Sequence, residues 1–551
     1  MTFARRHAAL LLAAVLAACT GSNDDAALVA AGERIYREGV LPDGSALVAR
    51  RPEGLVLEGR FASCGTCHRK SGMGSIEGLI DSSILVPPIA GPVLFRPARF
   101  AESLLDDRHH YVPHDSWRRA MTRPAYDEAS LAATLRDGLN TAGEPIGAPM
   151  PLYDLDREGM NALAAYLRVL GAESDPGVTG TELHIATIVT PGATDAHVDA
   201  VLEVLRTWAA TAQGSGHAWR LHEWRLEGSA NDWGSQLRKH YDRQPVFAVL
   251  SGVGASEWRP VHAFCERTQV PCVFPAVDVA PVDRDTHFSV YLSPGVTLEA
   301  AILARHLQDE GLLAQRLVQV HDDKSGERAG GELVSATFGS STTVHWLELQ
   351  SIGAEQAIAS LRTDDVVMLW LRPESLAKLV NAAPDGLPSR RVYLSALLAN
   401  PEAIDLPPAW REQVRFVTLF DDLGMQSEIA RLRLNRWLER HSIGSKADRR
   451  LQADAYVAAY LFNESLAAIR RQELRRPAVP LTREHVLETL EDLVAKYSDG
   501  TQLVDEDLHV AYYGRMSLGP GQRVAARGGS IARYASPDSA RLVIEGERIV
   551  P

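Results

Sequence analysis

Two hydrophobic periods divide the chain. Met160, Leu163, Ala164, Leu167 and Leu170 recur at three- and four-residue intervals, which sets one apolar stripe on a helix. "AALVAAGERIYREG" and "MNALAAYLRVL" predict helices near the two ends of the stretch 26–172. Beyond it, "GAESDPGVTGT" is rich in small and turn-forming residues and predicts a linker over 173–181. From 182 to 551 the pattern changes. Short apolar runs such as "LHIATIVT", "VFAVLSG", "RLVQVHDD", "VVMLWL" and "RVYLSA" alternate with helical stretches such as "AHVDAVLEVLRTWAATA". Strand and helix alternating at this pitch predict βαβ units with parallel sheets. That region is too long for one such sheet, so two lobes are expected.

The first 19 residues follow neither pattern. Arg5, Arg6 and His7 precede "AALLLAAVLAA", which ends at Cys19. This apolar run is too short to span a bilayer and fits a secretory signal. Residues 20–25 are polar and read as a tether. Export places the rest in an oxidising compartment. The formal net charge of −13 argues against nucleic acid, whose phosphates it would repel.

Two of the five cysteines stand in "FASCGTCHRKSGMG". Cys64, Cys67 and His68 have the spacing for covalent haem attachment. Two thiols can reach the two vinyl groups on one porphyrin edge, and the next residue can set its imidazole on the iron. A zinc site or a redox dithiol are the rival readings. Zinc needs four ligands, and the remaining mature cysteines are far along the chain. A dithiol would sit in a βαβ context, which this stretch lacks. A sixth iron ligand is then expected. Met150 lies between prolines in "GEPIGAPMPLYDLDREG", on a stiff loop suited to ligation. Met121 is the reserve, Met73 is too close to His68, and Met160 belongs to the helical stripe.

With these residues in place, 26–172 resembles the class I c-type cytochromes. Gly32 and Tyr36 on the first helix and Leu163 and Tyr166 on the last match that family's crossing pair. The resemblance implies an all-α domain with one haem c, held by Cys64 and Cys67, with His68 and Met150 as axial ligands. It leaves the proline-rich "ILVPPIAGPVLFRPARF" without a role. Leu16-Ala17-Ala18-Cys19 resembles the bacterial lipoprotein box, which implies lipidation of Cys19 and a membrane anchor facing the periplasm.

Residues 182–551 resemble the type I periplasmic binding proteins, the branched-chain amino acid receptor family. The resemblance rests on "FAVLSGVGASEWRPVHAFCERTQVPCVFPA", "QADAYVAAYLFNESLAAI" and "YYGRMSLGPGQRVAARGGSIARY". It implies two α/β lobes around a ligand cleft, and a Cys265–Cys272 disulfide at a helix-to-strand turn. It places Ser256, Ala276, Asp278 and Ser325 at the ligand. Asp278 stands where a hydroxyl is usual, so an amino acid carboxylate would be repelled and a cationic or polyhydroxylated ligand preferred. Trp258, Trp370 and Arg372 are further candidates for shaping the cleft.

The expected whole is a periplasmic electron carrier, not an enzyme. A methionine-closed iron leaves no open site for peroxide. Its expected partners are a redox protein, such as a quinoprotein dehydrogenase or a terminal oxidase chain, and a small-molecule ligand. The alternative is a solute receptor with a redox-reporting haem domain.

Overall fold

The computed structural model describes residues 25–77, 84–98, 122–212, 216–254, 257–312, 316–322, 325–338, 343–420, 425–444, 449–473, 479–498, 513 and 516–551. Cys19, Met121 and Ser256 lie outside them. Among the described residues no helix is long and apolar enough to cross a membrane. The chain divides into two units. The first holds the residues up to Asp175 together with Ala468–Glu488, and the second holds Pro176–Ala467 and Thr489–Pro551. The return of Ala468–Glu488 to the first unit is invisible to a linear reading that breaks only at 173–181.

In the first unit a helix over 25–38 packs on the helix Arg157–Val169. Gly32 marks the crossing: a Cβ there would lie 2.0 Å from the Ala162 carbonyl oxygen. The Tyr36 and Tyr166 rings meet beside it, centroids 5.4 Å apart. The Asp156 carboxylate accepts from the Gly159 N–H and caps the second helix. Asp127 and Ser130 form a reciprocal capping box on the helix Glu128–Asp137.

The unit is not all-α. Strands β1 (Val48–Arg50), β2 (Val56–Glu58) and, later in the chain, β5 (Leu152–Tyr153) form an antiparallel sheet in the order β2-β1-β5, and β3 (Ser75–Glu77) pairs with β4 (Ile84–Val86). The physical reason is an alternation the helical reading passed over. Leu47 and Ala49 are fully buried, while Val48 is half-buried and Arg50 exposed, a period of two.

The second unit carries two sheets. One has the order β11-β10-β9-β7-β6, with β8 on the other side of β7. Its strands are β6 (Val178–Thr179), β7 (Glu182–Val189), β8 (Ala218–Arg225), β9 (Ala248–Leu250), β10 (Cys272–Val273) and β11 (Ser289–Val290). The other has the order β13-β12-β14-β15-β16-β17-β18. These are β12 (Leu317–His321), β13 (Val344–Glu348), β14 (Val366–Trp370), β15 (Arg391–Ser395), β16 (Val414–Thr418), β17 (Gly529–Tyr534) and β18 (Leu542–Ile549). Pairing is parallel except at β6–β7, β16–β17 and β17–β18. Every residue of β9, β12 and β14 is buried, as expected of parallel strands covered by helices on both faces. This is a two-lobed α/β unit.

Candidate functional site

In the first unit Cys64 caps the single helical turn Gly65–His68, which brings Cys67 and His68 onto one short element. Cys64 is buried and Cys67 exposed. His68 is buried, and its Nδ1 lies 2.9 Å from the Pro87 carbonyl oxygen. A carbonyl only accepts, so Nδ1–H donates and the Nε2 lone pair is left available for ligation. Burial pushes the His68 imidazole below its ordinary range, which favours the neutral, ligating form. Pro87 thus gives the proline-rich stretch a function that sequence reasoning missed: β4 delivers its carbonyl to His68. β4 can approach this closely because Gly74 has φ +73° and no Cβ, which would lie 2.1 Å from the Val86 carbonyl oxygen.

Met150 is half-buried and packs on the apolar cluster that contains Cys64, Tyr36 and Leu163. Met160 lies within that cluster. Two thiols and an oriented imidazole on one turn, with a thioether on the same core, fit a covalently attached haem. Among the described residues no three His, Cys, Asp or Glu side chains converge on a bare metal ion. A haem does not call for such a group, since its ring nitrogens already hold the iron.

The loop after His68 is pinned by a residue from the returning segment. The Ser71 N–H donates to one oxygen of Glu488 at 3.0 Å, the Ser71 hydroxyl donates to the other, and the Met73 N–H donates to the Ser71 hydroxyl at 3.1 Å. Nearby, Arg37 donates to the Tyr166 hydroxyl at 3.1 Å and pairs with Glu484 at 3.0 Å. The Asp175 N–H donates to the Leu481 carbonyl at 3.0 Å. No sequence signal marks these partners.

In the second unit the C-terminal ends of the parallel strands carry the polar residues, the edge where open α/β sheets take ligands. Asp278 follows β10, and Arg372 caps the helix Pro373–Ala382 after β14. The Arg372 guanidinium donates to the Asp278 carboxylate, joining one lobe to the other. Burial raises the Asp278 carboxyl, and Arg372 pulls it back. Arg450 and His197 also act on it. The hydroxyls of Thr190 and Ser251, at the ends of β7 and β9, are buried with no hydrogen-bond partner among the described residues.

Several expectations change here. Asp278 does not offer a free negative charge to a cationic ligand, because Arg372 neutralises it. The repulsion argued against an amino acid carboxylate falls with it. Ala276 spends its backbone on the sheet: its N–H donates to Gly252 and its carbonyl accepts from Gly254. Ser325 opens the helix Ser325–Phe338, and its side chain is outside the described set. Trp258 and Trp370 are core residues, 3% and 0% exposed. Trp370 donates to Gln319 at 2.9 Å, and Trp258 covers Gly252 and Gly254. Cys265 and Cys272 form a disulfide across the turn between the helix Arg259–Thr268 and β10, Cα atoms 6.1 Å apart.

No family model matches the chain, and no curated protein matches it. Solved structures with some similarity include a fatty acid ABC transporter substrate-binding protein from Thermomonospora curvata, at 13% identity and TM-score 0.49, over 69% of this chain and 95% of that one. Another is the leucine-binding protein LivK from Thermotoga maritima, at 12% and 0.47, over 67% and 99%. A third is the branched-chain amino acid transporter substrate-binding protein LivJ from Streptococcus pneumoniae in complex with isoleucine, at 12% and 0.48, over 67% and 100%. Likeness at this level carries nothing about ligand or partner, and the two-lobed fold stands on the sheets themselves.

Proposed function

We propose that the chain is an exported solute-binding protein with one covalent haem c. The observation that carries the binding reading is the interlobe edge: Asp278 meets Arg372 while, among the described residues, the Thr190 and Ser251 hydroxyls lack partners. A ligand with hydroxyl or amide groups would satisfy those oxygens. The paired charges favour a net-neutral ligand, a polyol or a zwitterion, over a simple cation. The chain binds and transfers electrons rather than turning over a substrate, and Cys19 anchors it by lipid in the periplasm.

The haem reading rests on the His68–Pro87 hydrogen bond and the two thiols beside it. Each thiol would add across one vinyl group, its sulfur to one carbon and its proton to the other. Cys64 and Cys67 would hold the ring, His68 Nε2 would be one axial ligand and Met150 the other. Bound there, a haem supplies a one-electron couple. The chain's own groups fix the His68 tautomer and keep water from the buried imidazole.

A thermal-shift screen of the full chain against polyols, amino acids, cations and anions tests the receptor reading. A true ligand at 100 times its dissociation constant stabilises by about 2.7 kcal/mol. Stabilisation by simple cations alone sinks the neutral-ligand assignment. No shift from any compound favours the second reading, an electron carrier whose cleft docks a quinoprotein dehydrogenase or oxidase-chain partner. The His68 geometry supports that reading equally. Haem stain retained on a denaturing gel and lost in Cys64→Ser/Cys67→Ser tests the attachment.

A further inference from the structure

A carboxyl group has been brought to the haem-motif loop from a point 417 residues further along the chain. Glu488 is 7% exposed. Among the described residues its side-chain hydrogen bonds are the two from Ser71, three residues after His68. Buried carboxyl groups without a full counter-charge are costly. Arg69 approaches from the loop after His68 and favours the ionised form, while Glu484 on its own helix opposes it. The Tyr36 phenol, from the helix over 25–38, donates to the Arg69 carbonyl at 2.7 Å and feels the Glu488 charge. Arg37 is engaged by Glu484 and Glu33.

We propose that Glu488 is a redox-linked proton site: its carboxyl loses a proton to solvent when the iron gives one electron to an external oxidant, and regains it on reduction. This rests on the covalent-haem reading above. The added positive charge of the oxidised iron favours the carboxylate, and the reduced state favours the neutral acid. Burial, the dominant influence, pushes the carboxyl up to about 8, so the exchange falls in a range accessible at neutral to mildly alkaline pH. Ser71 suits both forms. Its two donors hold the carboxylate, and its hydroxyl can turn to accept from the acid. Glu488 is a tuning residue, acting on the potential through charge and not by ligation.

The test is a spectroelectrochemical titration of the full, haem-loaded chain at a series of pH values bracketing 8. The midpoint potential is expected to fall as pH rises, approaching the one-proton limit of ~59 mV per pH unit. Glu488→Gln flattens the profile, Glu488→Asp keeps a slope with a displaced midpoint, and Ser71→Ala moves the inflection to higher pH by removing a donor to the charged form. A slope that persists in Glu488→Gln assigns the proton elsewhere and overturns the inference. So does a pH-independent potential in the native chain that retains haem stain. A chain without covalent haem overturns this inference and the haem reading together. Should the variants not fold, redox-difference infrared spectroscopy of the native chain decides: oxidation must remove a protonated-carboxyl band, and its absence is a refutation.

Discussion

The haem-motif turn and the interlobe charge pair are built on opposite plans. Cys64, Cys67 and His68 are neighbours in sequence, and one helical turn sets them together. Asp278 and Arg372 are 94 residues apart and meet only because β10 and β14 end at facing edges. A local site survives as long as its own turn forms. A dispersed site needs both sheets in register, so it reports the integrity of the whole unit. The two units should accordingly fail by different routes.

The largest effect is expected at the helix crossing of the first unit. Gly32→Val drives a side chain into the Ala162 carbonyl, whose oxygen would sit 2.0 Å from the new Cβ. Overpacking of backbone against backbone should cost ~3 kcal/mol or more. Hydrogen exchange resolved by peptide should show the helices over 25–38 and Arg157–Val169 losing protection while β7 and β14 keep theirs. Equal loss in both units breaks the comparison. In the second unit Cys265→Ser opens a short covalent loop at a sequence separation of 7, expected to cost about 2–3 kcal/mol in chemical denaturation, with β9 and β10 loosened first.

Arg372→Ala comes next. It leaves Asp278 buried without its counter-charge, and with the pair 24% and 12% exposed the loss should be about 2 kcal/mol. The loss should shrink at low pH, where Asp278 can take a proton, and Asp278→Asn in the same chain should restore part of the stability. A pH-independent loss would mean the guanidinium acts by packing alone. The smallest effect is a change of slope. Burial pushes Glu299 up to about 8, against donors from Ser395 and Leu397. A raised carboxyl contributes stability that is full below its unfolded value and lost as pH rises through the folded one. Stability of the second unit should decline from about pH 5 toward 8, and Glu299→Gln should flatten that decline in urea titrations. A parallel decline in the variant refutes this role.

These contrasts also explain what could be read in advance. The CxxCH turn and the disulfide are short-range, so spacing and context exposed them. Alternating apolar runs exposed the two α/β sheets, because buried parallel strands are apolar throughout. The antiparallel strands of the first unit escaped because each is two or three residues long, too short for periodicity to stand out. Pro87 escaped because it acts through its carbonyl, which every residue has. Trp258 and Trp370 looked like cleft walls because a large aromatic near a strand end reads the same whether it turns outward or covers a glycine. Arg372 and Glu488 are single charged residues whose meaning lies wholly in distant partners.

The returning segment Ala468–Glu488 has a consequence for how the protein is made. Ribosomes deliver chains from the amino end, at roughly 5–20 residues per second. The first unit needs Leu481 for Asp175, Glu484 for Arg37 and Glu488 for Ser71. Those residues emerge only after Pro176–Ala467, the larger part of the second unit, has been synthesised, an interval on the order of 15–60 s. During that time the loop beside His68 lacks its strap. A fragment cut at Asp175 would stay in that immature state permanently, because the unit begun first waits for a late stretch of the chain.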